Sequence, residues 1–136
     1  MDSGIIVPYW DSFSNRSIPA LLDASVLLTK WSVSRAWNPA NLASPTDLAA
    51  TKGYTGTVTG FQTLLEGAVH AGTLNAVGGD MAGSASPTDP LFWLHHAFID
   101  KTWADWQASV NGKNPPSPSI VIKTLGNGDW RSIWCY

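Results

Sequence analysis

The segment from Asp89 to Gly112 limits the fold more than any other part of the chain. Asp89 is suited to cap a helix with its side chain, and Pro90 suits the first helical position, where a missing N–H costs nothing. Gly112 supplies a stop. Between them Phe92, His96, Ile99, Trp103, Trp106 and Val110 recur at spacings of four and three, one apolar stripe of a helix over 90–110. His96 lies in the middle of that stripe and is expected to face the core. His95 is turned away by about 100 degrees and is expected on the outer side, beside Leu91 and Phe98, with no part in a metal site. Such a helix needs a partner surface. The chain has 136 residues, enough for one domain with a core and not for two, so 1–136 reads as a single domain.

Composition narrows the function classes. Hydrophobic residues make up 44% and charged residues 13%, which excludes a disordered tail or a charged coiled coil. The net charge is -2 and no Lys/Arg run exists, so neither nucleic acid nor an anionic membrane is an expected partner. No apolar run approaches the roughly 20 residues of a membrane helix. The opening Met1-Asp2-Ser3-Gly4 has no secretory-signal pattern and Cys135 is a single cysteine, which together favour a cytoplasmic location. Eight Trp are present. They read as core packing, with a stacking site for sugars or bases as the sharper alternative.

The remaining elements are less regular. Residues 5–10 read as a strand or buried extended segment stopped by Asp11. Residues 17–31 read as a helix with Ser17 as cap and Pro19 in its first turn. Residues 38–57, with two prolines and two glycines, read as loop, with one short helical turn starting at Pro45-Thr46-Asp47. Residues 58–71 read as a helix on the stripe Phe61, Leu64, Leu65, Ala68, Val69, weakened by Gly67 and Gly72. Gly78-Gly79 opens a Gly/Ser loop to Ser86. A Pro-rich stretch after 113 leads to Ile120-Val121-Ile122 and an aromatic tail.

Three histidines are available for chemistry: His70, His95 and His96. Asp100 stands four residues after His96, and Glu66 four before His70, each placed to orient an imidazole as an outer carboxylate or simply to meet solvent. No nucleophile elbow, phosphate-binding loop or dinucleotide fingerprint appears.

The run Ser86-Pro87-Thr88-Asp89-Pro90-Leu91-Phe92-Trp93-Leu94-His95-His96-Ala97-Phe98-Ile99-Asp100-Lys101 resembles the copper B signature of tyrosinases, catechol oxidases and mollusc-type hemocyanin units. Pro8-Tyr9-Trp10-Asp11 resembles the Pro-Tyr-Trp-Asp motif that follows the copper A half of that family. Leu65-Glu66-Gly67 through Gly78-Gly79-Asp80-Met81 resembles the helix bearing the other two copper B ligands. The resemblance places a copper ligand on His96 and the signature Asp on Asp100. It implies a mainly α fold: helix pairs, here near 58–76 and 90–110, of a four-helix copper bundle with long irregular loops. It also implies copper and phenol or catechol oxidation.

The departures from the family pattern shape the functional expectation. His70 lies eight residues before Gly78 and takes the first ligand position of the family's His-x-x-x-His, which leaves Leu74 at the second. A rival alignment makes Glu66 and His70 the two ligands and needs a four-residue insertion. Glu66 matches a family residue thought to hold a water beside the site, but the Asn partner of that water is Ala71 here. The three copper A histidines that precede Pro-Tyr-Trp-Asp in the family have no counterpart before Pro8. The resemblance therefore implies a truncated, degenerate copper B half. Such a domain has a binding, scaffold or relic role, or is an oxidoreductase completed by a copper A-bearing partner chain or by self-association. A homodimer would pair the His70/Leu74/His96/Ile99/Trp103 face. A repurposed fold that binds a ligand through its Trp is the remaining alternative.

Overall fold

The structure is a computed structural model that describes residues 8–109, 111 and 112. It is mainly α, and no strand occurs among the described residues. The helices are α1 (Ser25–Trp31), α2 (Pro45–Lys52), α3 (Val58–Leu64), α4 (Gly72–Val77) and α5 (Pro90–Ala108). A wider π-type turn, Leu65–Ala71, joins α3 to α4, so residues 58–77 form one interrupted rod. The interruption centres on Gly67, whose φ of -69° and ψ of -109° leave the helical region. The apolar spacing read over 58–71 carries no sign of this change in pitch.

The rod and α5 run antiparallel. Phe61 stacks on Trp106 with ring centres 3.9 Å apart. Further along, Leu65 and Val69 share one apolar cluster with Phe98 and Ile99. Beyond the imidazoles, Leu74 and Val77 share a second cluster with Leu91 and Phe92. The histidines thus lie between two apolar clusters, on the seam of the helix pair.

α5 starts as expected, with the Asp89 carboxylate accepting from Leu91 N–H at 2.8 Å. Its buried face differs from the expected stripe. The buried residues are Leu91, Phe92, His95, Phe98, Ile99, Thr102 and Trp106. The arc is wider than one stripe and centres on Leu91, His95, Phe98 and Thr102. The N-terminal strap explains it. Trp10 N–H donates to the Leu94 carbonyl at 3.1 Å, and Phe13 stacks on Phe98 at 5.8 Å. The strap covers the side of α5 that periodicity assigned to solvent.

Other expectations change as well. The helix expected over 17–31 begins only at Ser25. Ile18 is drawn into the second apolar cluster, and the Pro19 carbonyl accepts from Leu22 and Asp23 to close a separate turn. In the expected loop 38–57, Ser44 and Asp47 form a reciprocal capping box that sustains α2 for two turns. Of the strand or buried extended segment expected over 5–10, residues 8–10 form no strand and only Trp10 is buried, while residues 5–7 and 120–122 lie outside the described residues. Trp10 and Trp106 are core, Trp37 and Trp103 pack against the clusters, and Trp31 and Trp93 are exposed.

Segment 33–42 is tied to α4 by Ala36 N–H to the Val77 carbonyl at 2.9 Å and Asn38 N–H to the Ala76 carbonyl at 2.7 Å. Gly78 and Gly79 have φ of 65° and 56°, and a Cβ on Gly79 would collide with the Ser34 carbonyl oxygen. The glycine pair is therefore required by left-handed backbone and by close approach together. Arg35 reaches the start of α5, where Nε and Nη2 donate to the two Asp89 carboxylate oxygens, both at 2.7 Å.

Candidate metal centre

His70 is carried by the π-type turn, and His95 and His96 by the second turn of α5. The antiparallel packing brings all three rings together. Their centres are separated by 5.0 Å (His70–His96), 5.4 Å (His70–His95) and 5.6 Å (His95–His96). His70 and His95 are completely buried. His96 is only partly buried, at the edge of the seam, rather than buried as its stripe position implied. The Phe92 ring lies 4.0 Å from it.

His95 is the residue that sequence reasoning placed wrongly. It is in the core, its ring is parallel to that of His70, and its Nε2 lies 3.1 Å from the His70 main-chain oxygen. A carbonyl oxygen only accepts, so the proton of the His95 ring sits on Nε2. Nδ1 is buried with no hydrogen-bond partner among the described residues. The sequence did hold a signal: Leu91, His95, Phe98, Thr102 and Trp106 repeat at four and three as regularly as the stripe through His96.

The carboxylates separate. Glu66 Oε2 lies 3.1 Å from His70 Nδ1, so this side chain meets an imidazole rather than only water. The contact lies at ion-pair distance without the alignment of a hydrogen bond, so only the nearby negative charge favours a proton on Nδ1 over a lone pair there. Asp100 is exposed, and among the described residues it makes no hydrogen bond to His96. Leu74 is buried in the second apolar cluster. It also lines a cleft of about 470 Å³ with Ala71, Met81, Ser86, Pro87 and Phe92.

Burial pushes the His95 imidazole well below its ordinary value, and the neighbouring His70 and His96 push it the same way. Burial, then His70, lowers His96 to about 4. Both rings are therefore neutral at pH 7, the form in which imidazole binds a metal.

A profile of the common central domain of tyrosinase matches residues 27–109. This chain belongs to the tyrosinase family. It is 57% identical over 44 residues to a tyrosinase of Streptomyces antibioticus, covering 32% of this chain and 15% of that relative. It is 50% identical over 73 residues to grixazone synthase of Streptomyces griseus, covering 50% and 22%. It is 33% identical over 89 residues to a tyrosinase of Hahella sp., covering 58% and 18%. The matched part of this tyrosinase-family chain thus spans less than a quarter of these curated relatives. No solved structure matches it.

The tyrosinase family is copper-dependent, which sets the test for the cluster. Nitrogen–metal bonds of about 2 Å put the ring centres of two imidazoles sharing one ion roughly 5 Å apart. The His70–His96 pair meets that distance. Leu74, at the place the family resemblance gives to a further imidazole, has no donor atom and is buried in an apolar cluster. Among the described residues, no group of three or more His, Cys, Asp or Glu side chains is arranged to hold a metal. In this tyrosinase-family chain the His70 and His96 rings stand at a separation compatible with one shared ion, and the described residues form no three-residue metal group. No described helix is long and apolar enough to cross a membrane.

Proposed function

We propose that these residues form a tyrosinase-type copper B half with a degenerate ligand set, which on its own is not a competent phenol oxidase. The observation that carries this reading is Leu74. It stands one helical turn beyond His70, at the position the family resemblance gives to an imidazole, and it is buried among Trp10, Val77, Leu91 and Phe92. An apolar side chain there serves packing and leaves a cation short of a donor. The role is binding or scaffolding, with the cleft beside Leu74 and Phe92 taking a small phenolic ligand. Oxygen uptake by the copper-supplied chain with a catechol tests the reading. No uptake above the copper-only control is expected. Copper-dependent turnover at about 1–1000 per second, ordinary for an enzyme, would contradict it.

The retained His70–His96 approach favours a second reading, an oxidoreductase completed by a copper A-bearing partner chain or by a second copy. His70, Leu74 and Ile99 are already buried within one chain, so self-association has only the margin at His96 and Trp103 to use. Light scattering with and without copper tests it. A dimer mass that appears with copper supports completion by a second copy, and a monomer mass in both states excludes it.

A further inference from the structure

We infer that His95 is a positioning residue, which acts through His70 by fixing the turn that carries it. The inference deepens the reading of His70 and His96 as the retained imidazole pair. Nothing in the family resemblance assigned His95 a role, since the ligand position falls on its neighbour. Three observations carry the argument. His95 is completely buried, yet one of its two ring nitrogens has no hydrogen-bond partner among the described residues. A leucine of similar volume avoids that cost, so the ring is expensive unless its other nitrogen does something specific. That nitrogen, Nε2, donates to the main-chain oxygen of His70.

The location of the accepted bond matters. His70 sits in the π-type turn Leu65–Ala71, three residues after the break at Gly67, where regular helical pitch no longer dictates side-chain direction. The bond from α5 supplies what the pitch does not. It fixes the His70 backbone from one side, while the Glu66 carboxylate meets Nδ1 of the ring from the other. With the backbone held so that Nδ1 stays beside the carboxylate, the Glu66 charge favours the tautomer with the proton on Nδ1. Outer contacts of this kind set the orientation and basicity of metal-binding imidazoles. The Leu91–His95–Phe98–Thr102 face holds His95 rigidly, because its neighbours are themselves buried.

The test is long-range 1H–15N NMR on the full chain with labelled histidine, at pH 7.5. The wild type is expected to show His95 protonated on Nε2 and His70 protonated on Nδ1. His95→Leu is expected to turn the His70 signals into a tautomer mixture. His95→Gln, whose amide can donate from near the same place, is expected to restore the single tautomer. A wild-type His95 protonated on Nδ1, an unchanged His70 in His95→Leu, or a failure of His95→Gln to restore it would overturn the inference. If His95→Leu does not fold, the wild-type and His95→Gln spectra decide. Titration with Cu²⁺ alone separates this claim from the metal reading. His95→Leu is expected to weaken uptake by about 10–100-fold relative to the wild type. A wild type that takes up no Cu²⁺ defeats the metal reading, and the tautomers still decide the role of His95. Direct binding of Cu²⁺ to the His95 ring would make it a ligand and overturn the positioning role.

Discussion

At the residue scale, the histidine cluster makes the protein acid-sensitive. His96 is lowered to about 4 and His95 well below its ordinary value, whereas both titrate near 6.5 in an unfolded chain. Below about 6.5 the unfolded state binds more protons than the folded one, so stability falls as pH falls. The contribution is fully present above pH 6.5 and is lost progressively towards pH 4. Melting temperatures of the metal-free chain from pH 7.5 to 4.5 are expected to decline across that window. A flat profile would count against neutral, buried rings. Gly79 gives a second residue-scale prediction. Gly79→Ala places a Cβ on a left-handed residue and against the Ser34 carbonyl, so it is expected to destabilise the fold by more than about 1 kcal/mol. A denaturation midpoint equal to the wild type would refute that account of the Gly-Gly turn.

At the scale of elements, the start of α5 is held by one side chain with two tasks. Asp89 caps the helix at Leu91 and receives a bidentate Arg35, and both members of the pair are buried. Arg35 also donates to the Leu22 carbonyl at 2.7 Å, so a single guanidinium joins the N-terminal third of the chain to the helix that carries His95 and His96. Arg35→Leu leaves the carboxylate buried and unpaired, and a loss of about 3–5 kcal/mol is expected in urea unfolding. A loss under 1 kcal/mol would mean that the pair does not organise the element. Asp89 was legible in the sequence as a cap, because capping is a local rule. Its partner Arg35 was not, because 54 residues separate the two and no local pattern links them.

For the whole molecule, the helix pair was legible through the family resemblance, its antiparallel packing was not, and the burial of α5 was half legible. Periodicity locates a helix well but leaves its buried arc open by one residue, and here that residue is His95. What settles the arc is the strap at Tyr9, Trp10 and Phe13, which packs on α5 from far along the chain. Gly67 was legible as a weak point of the helix but not as a change of pitch, since a π-type turn inserts its extra residue without disturbing the apolar spacing on either side. Leu74 reads as a departure under the family resemblance, and the structure buries it in the second apolar cluster. The account rests on that residue. Copper retained per chain after exhaustive dialysis, compared between the wild type and Leu74→His, tests it most directly. The account predicts well under one copper in the wild type and a clear gain in Leu74→His. One copper per wild-type chain, unchanged by Leu74→His, would contradict it.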